Sequence, residues 1–233
     1  MNIEVLADAA AVACRGAEII AEETRARAAA HRPFVLAVSG GHTPWIMLRE
    51  LARQDVPWRA VNVAQVDERV ARAGDPDRNL THLRESLLAR APLAPGQIHA
   101  MPVELEDLDA AARQYAATLE QLAGSPPILD LVHLGLGPDG HTASLVPGDP
   151  VLEVADRDVA LTNVYMGHRR MTLTFPVINR ARKILWVVTG GEKAATLARL
   201  RAGDLSIPAG RIRPESAVVI ADRAAAGEQP RRT

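Results

Sequence analysis

The chain has little of several residue types, and each scarcity excludes a class of protein. One of its 233 residues is cysteine, Cys14, so no disulfide can form within the chain, which fits a reducing compartment. Aromatic residues make up 3%, too few for a surface that stacks nucleic-acid bases. The net charge of −1 gives no attraction toward nucleic acid or an anionic membrane. We therefore expect no nucleic-acid or membrane partner.

Long hydrophobic runs and lysine are also scarce. No apolar stretch approaches the roughly 20 residues that a membrane-spanning helix needs, and residues 1–4 do not begin a signal-peptide pattern. Lysine occurs only as Lys183 and Lys193 among 27 basic residues, so arginine is the default cation of this chain. Because 48% of the residues are hydrophobic, we predict one cytoplasmic domain over residues 1–233. We expect it to be a monomer, with a frayed polar tail after about residue 223.

Segments of strand length alternate with helical segments along the chain. Strands are predicted for residues 34–38, 61–66, 128–134, 171–175, 184–188 and 217–220, the fourth half-exposed because it alternates apolar and polar residues. Helices are predicted for residues 9–30, with Asp8 as N-cap and Cys14 buried, and for 43–54, 78–90, 108–122 and 192–201. This alternation predicts an α/β fold of three layers (α/β/α), with a mostly parallel, Rossmann-like sheet and helices on both faces.

Four loops with chemically active residues each follow a predicted strand. They are Ser39-Gly40-Gly41, Asp67-Glu68-Arg69, the glycine-rich run 137–141, and Gly190-Gly191 with Lys193. Parallel strands end at the same edge of a sheet, and ligands bind beyond the carboxyl ends of the strands. We therefore expect all four loops to open on one pocket.

The turn before residue 43 joins a strand to a helix. Free backbone N–H groups at a helix N-terminus suit a phosphate, and glycine lets the backbone approach it closely. The alternative interpretation of Ser39, Gly40, Gly41 and Thr43 is a tight turn with a helix cap. No lysine follows the glycines, so the pattern is not that of a P-loop.

The run from Gly135 to His141 matches the dinucleotide-binding fingerprint G-x-G-x-x-G letter by letter. We do not predict that function, because Pro138 and His141 fit poorly at the turn and helix start, and the run is central rather than in the first βαβ unit. His141 is either a general base or a structural residue of the loop. His133 and His141 lack metal-site spacing and no cysteine is near, so no metal is predicted.

Charged residues at other strand ends have two interpretations each. Asp67 can bind sugar hydroxyls or position a base, or it can be a solvated strand end. Arg170 and Lys193 can hold a dianionic phosphate, the first bidentately and the second as a point charge, or they can be surface charges.

Together these pieces resemble the 6-phosphogluconolactonase family of the glucosamine-6-phosphate isomerase/deaminase-like superfamily. The pieces occur in the family's order, cover most of the chain, and are Ser39-Gly40-Gly41 with Thr43-Pro44, Asp67-Glu68-Arg69, residues 134–144 with Pro147-Gly148, residues 170–174, and residues 190–193. The resemblance implies hydrolysis of 6-phospho-D-glucono-1,5-lactone, the second step of the oxidative pentose phosphate pathway, without a cofactor or metal.

The resemblance also implies roles for individual residues. Catalytic roles fall on His141 as the base, and on Asp67 and Asp139. Binding of the sugar phosphate falls on Ser39, Gly40, Gly41, Thr43, Arg69, Arg170 and Lys193. Backbone N–H groups of the glycine turn are candidate donors to the oxyanion of the tetrahedral intermediate.

Two alternatives remain open from the sequence. An amino-sugar phosphate deaminase or isomerase of the same fold uses an extra acid shortly after the histidine, whereas Val146 stands at that place here. A non-catalytic sugar-phosphate binding protein could retain Arg170 and Lys193 but would not need His141.

Overall fold

The computed structural model describes residues 1–228, which form ten strands and six α-helices. The strands are β1 (Asn2–Leu6), β2 (Phe34–Val38), β3 (Val61–Gln65), β4 (Asp67–Arg69), β5 (Ile98–His99), β6 (Leu131–Leu134), β7 (Val159–Leu161), β8 (Arg170–Leu173), β9 (Lys183–Val188) and β10 (Ala217–Asp222). The helices are α1 (Ala9–Ala29), α2 (His42–Leu51), α3 (Asn79–Leu83), α4 (Leu108–Ala123), α5 (Phe175–Arg180) and α6 (Ala194–Arg201).

Seven strands form one parallel sheet, in the order β1-β10-β9-β6-β2-β3-β5. From β2 the chain moves outward through β3 to β5, and then returns to the other side of β2 to form β6. The loops after β2 and β6 therefore leave the sheet in opposite directions. The boundary between these two strands is a topological switch point, where doubly wound sheets open a crevice for ligands.

Helices cover both faces of this sheet, as predicted. Along β2, Leu36 packs with α1 and α2 in one apolar core, whereas its neighbours Val35 and Ala37 belong to the core under α4 and α6. Successive strand side chains point to opposite faces, so a strand covered on both sides is apolar throughout. The three-layer α/β/α prediction is confirmed.

A small antiparallel sheet of order β4-β8-β7 was not predicted. It packs beside the main sheet through Met171 and Leu173, which belong to the same core as α4. The prediction of a half-exposed strand near residue 171 is wrong, since all four residues of β8 are buried. Its polar residues Arg170 and Thr172 alternate with these apolar ones because their side chains face a buried polar site and not solvent.

Local predictions differ from the structure at several places. Asp8 caps α1 through Ala11, as predicted, but Cys14 is exposed, because it lies on the face of α1 opposite the buried stripe. The predicted helix 78–90 is α3 followed by a π-helical turn, Arg84–Leu88. The chain continues in turns as far as Gly227, and the part of the predicted frayed tail after Glu228 lies outside the described residues.

Candidate active site

A cavity of about 340 Å³ opens at the switch point of the main sheet. Its lining residues come from the loops after β2, β6 and β9, together with β4, β8 and α3: Ser39, Gly40, Gly41, His42, Thr43, Pro44, Asp67, Arg69, Asn79, Gly135, Leu136, Gly137, His141, Ala143, Arg170, Val187, Val188, Thr189, Glu192 and Lys193. Each of the four predicted loops contributes to this wall. Nine of the ten predicted site residues line the cavity, and the tenth, Asp139, contacts His141.

The first wall is the turn between β2 and α2. Gly41 is the N-cap of α2 with φ of +130° and no capping side chain, so the first backbone N–H groups of α2 lack a side-chain partner within residues 1–228. Gly40 lies against Asn79, where a Cβ atom would be 2.0 Å from the amide oxygen. The turn thus requires glycine at both positions, and it presents a helix N-terminus to the cavity.

His141 and Asp139 form a pair in the loop after β6. The Asp139 Oδ1 atom lies 2.6 Å from His141 Nδ1 and also accepts the His141 backbone N–H at 3.1 Å. Burial favours the neutral carboxyl, but hydrogen bonds from His141 and Tyr165 outweigh it and lower the pKa of Asp139. An ionised carboxylate only accepts hydrogen bonds, so it favours the tautomer of His141 that carries its N–H at Nδ1. Nε2 has no hydrogen-bond partner within residues 1–228 and can act as a base.

Gly137 makes room for the histidine ring. A Cβ atom at this residue would lie 2.1 Å from His141 Nδ1, and the Gly137 N–H donates to the His141 carbonyl at 2.8 Å. The Gly140 N–H donates in turn to the Gly137 carbonyl at 3.0 Å. Both N–H groups close the turn, so they are not free to bind an oxyanion.

The glycine-rich run does not open a helix, which explains why its match to the dinucleotide fingerprint is fortuitous. After β6 the chain passes through turns to a bridge between Thr142 and Leu145. A bound pyrophosphate needs the helix N-terminus that normally follows these glycines. This loop lacks one within residues 135–149.

Asp67 is buried at the floor of the cavity. Its carboxylate accepts the Ser144 hydroxyl at 2.6 Å, and its backbone carbonyl accepts the Asn79 side-chain amide at 2.9 Å. Asn79 also accepts Arg69 Nη1 at 3.0 Å. One amide therefore holds both the acid and a cation of the site in place, a role that the sequence analysis missed.

Glu68 points away from the cavity, because alternate residues of β4 face opposite sides. It is fully buried and accepts the backbone N–H groups of Asn79 and Leu80, each at 2.8 Å, at the start of α3. Arg78 lies 3.5 Å away as its counter-charge. The acid in the middle of the Asp-Glu-Arg motif thus anchors α3, which carries Asn79.

Two arginines face each other across the small sheet. Arg69 and Arg170 are direct partners in the antiparallel pairing of β4 and β8, an arrangement that repels like charges. Burial and the neighbouring Arg69 both lower the pKa of Arg170. Arg170 is 5% exposed, and its Nε atom has no hydrogen-bond partner within residues 1–228. A buried guanidinium without a counter-ion destabilises a fold unless an anion binds there.

Lys193 lies on the opposite wall, after β9. It has no salt bridge with any described residue, whereas the other lysine, Lys183, pairs with Glu23 far from the cavity. Beside it, the hydroxyls of Thr43 and Thr189 are 2.7 Å apart, which joins the start of α2 to the end of β9. The predicted helix 192–201 begins with a 3-10 turn, Gly191–Lys193, and α6 follows it.

Ser39 uses its polar groups inside the protein. Its hydroxyl donates to the His133 carbonyl at 3.0 Å, and its backbone N–H donates to His133 Nδ1 at 3.2 Å. Ser39 therefore contributes wall surface and ties β2 to β6, while neither its hydroxyl nor its N–H is free for a ligand. His133 is fully buried, and burial lowers its pKa to about 3.

The buried His133 makes stability depend on pH. His133 Nδ1 already accepts the Ser39 N–H. Protonating Nδ1 would therefore place its new N–H against the Ser39 N–H and break this hydrogen bond. Below about pH 6.5 the unfolded chain binds a proton that the folded chain rejects. We therefore expect the free energy of unfolding to fall by up to about 1.4 kcal/mol per pH unit from pH 6.5 toward pH 3.

Urea unfolding between pH 7 and pH 4.5 measures this slope. His133→Asn is the matched control, since its side-chain oxygen can accept the Ser39 N–H without a titrating group. The carboxylates contribute equally to the slope of both proteins. We therefore expect the variant, which lacks the titrating imidazole, to have the smaller slope. Equal slopes would contradict a role for His133.

Residues 1–228 lack two broader features. No three His, Cys, Asp or Glu side chains converge on a point where a metal ion could bind. No helix there combines the length and apolar content that crossing a bilayer requires.

Comparison with known proteins identifies relatives along nearly the whole chain. The family described as "Glucosamine-6-phosphate isomerases/6-phosphogluconolactonase" matches residues 7–221. The 6-phosphogluconolactonase of Nostoc sp. is 34% identical over 235 residues, which is 98% of each chain. The human 6-phosphogluconolactonase is 36% identical over 182 residues, covering 74% of this chain and 70% of that protein.

Solved structures agree with this relationship. The 6-phosphogluconolactonase from Trypanosoma cruzi has a TM-score of 0.86 and 26% identity, covering 97% of this chain and 96% of that one. A monomeric glucosamine-6-phosphate deaminase has a TM-score of 0.85 at 20% identity, covering 98% of this chain and 100% of that one, which shows a shared fold.

The fold and the cavity define an α/β protein with a cavity at the switch point of a parallel sheet, lined by the cations Arg69, Arg170 and Lys193. The family match and the relatives are more specific. The chain belongs to the glucosamine-6-phosphate isomerase/6-phosphogluconolactonase family.

Proposed function

We propose that this protein is a 6-phosphogluconolactonase, which hydrolyses 6-phospho-D-glucono-1,5-lactone to 6-phosphogluconate in the oxidative pentose phosphate pathway. The observation that carries the proposal is the cavity itself. It places an oriented histidine, His141, in one site with Arg69, Arg170, Lys193 and the uncapped start of α2. A base and a separate anion site are what a phosphorylated lactone requires.

The anion site holds the 6-phosphate. Arg69 and Arg170 lie opposite each other and repel until an anion binds between them. Lys193 and the backbone N–H groups of Gly41, the N-cap of α2, and of Thr43, in its first turn, approach from the other walls. Fixing the phosphate orients the lactone ring and brings its carbonyl carbon, C1, to His141, which lowers the entropic barrier to reaction.

His141 activates water for attack on C1. Nε2 takes a proton from water as the oxygen bonds to C1, and the carbonyl electrons move onto oxygen. Collapse of this tetrahedral intermediate breaks the bond from C1 to the ring oxygen, which takes the proton back from Nε2. The new carboxylic acid then loses its proton to solvent. Asp139 holds Nδ1–H throughout, and Asp67 faces the sugar hydroxyls.

A lactonase assay tests the proposal directly. Freshly generated 6-phosphogluconolactone is mixed with the protein, and acid release is compared with spontaneous hydrolysis in the same buffer. We expect saturable acceleration that inorganic phosphate inhibits competitively. Hydrolysis at the spontaneous rate would overturn the proposal, and binding of 6-phosphogluconate without acceleration would indicate a non-catalytic binding protein.

Deamination of glucosamine 6-phosphate is the chemistry to compare. It uses an acid near the position of Val146, and this valine is 6% exposed and cannot transfer a proton. We expect no ammonia release from glucosamine 6-phosphate at protein concentrations that give full lactonase activity.

We further propose that the protein acts as a cytoplasmic monomer with a sugar phosphate as its only required partner and no nucleic acid. Support for the sugar phosphate comes from the site, where three cations line one cavity with His141. The net charge of −1 argues against a nucleic-acid partner, and the single cysteine fits a reducing compartment. Light scattering after size-exclusion chromatography measures the mass in solution, and a dimer would contradict the monomer.

A further inference from the structure

A tyrosine outside the cavity wall touches three residues of the proposed site. The Tyr165 hydroxyl donates to Asp139 Oδ2 at 3.1 Å. Its ring lies edge-on to the His141 ring, with centroids 5.7 Å apart. The Arg170 guanidinium carbon lies 5.0 Å from the centroid of the same ring. One side chain thus contacts the acid, the base and a phosphate-binding cation.

The backbone around Tyr165 is held in an uncommon conformation. Tyr165 and His168 pair through two backbone hydrogen bonds, and the residues between them, Met166 and Gly167, have φ of +48° and +85°. Positive φ at both central residues defines the type I′ hairpin turn, which is strained for a residue other than glycine, asparagine or aspartate. Strain of this kind is retained where the fold needs a fixed geometry.

Contacts beyond the turn also fix this hairpin. His168 Nε2 lies 3.1 Å from the Asp77 carboxylate, and the Asp77 backbone carbonyl accepts Arg69 Nη1 at 2.7 Å. Met166, at the tip of the turn, is 76% exposed. The tip therefore lies free in solvent, while its neighbour Tyr165 turns inward onto the site.

The geometry points to Tyr165 as a positioning residue for the proposed lactonase reaction, one that couples the Asp139–His141 pair to the phosphate site at Arg170. The inference rests on the proposed function. The hydroxyl fixes the Asp139 carboxylate, and thereby the direction of His141 Nε2. The ring face stabilises the Arg170 guanidinium, which has few other partners, by a cation–π contact. Partial burial and the charge of Asp139 raise the pKa of Tyr165, which keeps its proton available for donation.

Two substitutions separate the two roles. Tyr165→Phe removes the hydroxyl and keeps the ring, so we expect kcat to fall about 3- to 10-fold with an unchanged KM, as for one lost hydrogen bond. Tyr165→Leu also removes the aromatic face, so we expect KM to rise in addition by about 2- to 5-fold. Met166→Ala is the control, because its side chain points into solvent, and both parameters should match the wild type.

A double-mutant cycle with Asp139→Ala measures whether the effects of the two substitutions on kcat depend on each other. A residue that only stabilised the fold would not produce this dependence. In the Asp139→Ala background, Tyr165→Phe should change kcat less than about 2-fold, because the hydroxyl no longer has a carboxylate to hold. Multiplicative losses would overturn the coupling. Thermal unfolding of each variant checks that it is folded at the assay temperature.

The same assay distinguishes the two proposals. A wild-type protein without lactonase activity overturns the proposed function, and this inference with it. An active wild type whose Tyr165→Phe and Tyr165→Leu variants keep its kcat and KM overturns only the role of Tyr165.

Discussion

His141→Ala is expected to lower kcat for lactone hydrolysis by about 100-fold or more, the usual contribution of a general base. The histidine faces the cavity with Nε2 free, because Asp139 occupies Nδ1 at 2.6 Å. The phosphate-binding groups lie on other loops, so KM should change little. Steady-state kinetics on freshly generated substrate, corrected for spontaneous hydrolysis, measures both parameters.

Two further variants sharpen this test. Asp139→Asn keeps the shape of the side chain but removes its charge, and it should give an intermediate loss, since His141 is then held in either tautomer. His31→Ala removes an exposed histidine from the turn between α1 and β2, at the amino end of β2 and not the carboxyl end where the cavity lies, and should behave as the wild type. Unimpaired turnover by His141→Ala would exclude the histidine from the mechanism.

Arg170→Ala is expected to raise KM by about 10- to 100-fold, as for a lost hydrogen bond between charged groups. Arg170 is buried, forms no salt bridge with another described residue, and lies opposite Arg69, so the phosphate is its natural counter-ion. The phosphate does not change during the reaction, so kcat should fall much less than KM rises. The same variant should weaken competitive inhibition by inorganic phosphate.

Arg169→Ala is the matched control for this prediction. Arg169 is the adjacent residue, but it is exposed and contacts the Thr162 carbonyl rather than the cavity. Removing its charge changes the net charge of the protein by the same amount, so a general electrostatic effect would appear in both variants. A KM of Arg170→Ala no higher than that of Arg169→Ala would show that the phosphate binds elsewhere.

The pocket was predictable because the rule that locates it depends on local features. Each of the four predicted loops follows an apolar strand, and parallel strands bring their carboxyl ends to one edge. One of the four, Asp67-Glu68-Arg69, is not a loop but the short strand β4, which directly follows β3. Apolar runs and glycines are visible in the sequence without knowledge of any contact. The rule therefore predicted correctly that one cavity is lined by Gly40, Asp67, His141 and Lys193.

The small sheet was not predictable by the same means. Strands β4 and β7 have three residues each, too short for a periodic pattern, and they pair only through β8. The opposition of Arg69 and Arg170 depends on that register. The role of Tyr165 was missed for a related reason. The one local feature beside it is the Met166-Gly167 turn, and the sequence does not predict the positive φ of Met166.

The amino-acid sequence by itself determined the alternation of helices and strands, the loops at which chemistry is possible, and the family resemblance. These follow from periodicity, glycine placement and residue type, which are properties of short segments. Only the tertiary structure decided which polar groups remain available for a substrate. The hydroxyl and backbone N–H of Ser39 are bonded to His133, and the Glu68 carboxylate is bonded to the start of α3. The Arg170 Nε atom, by contrast, has no hydrogen-bond partner within residues 1–228. A side chain has a fixed number of donors and acceptors, and contacts between distant segments determine how many are already used.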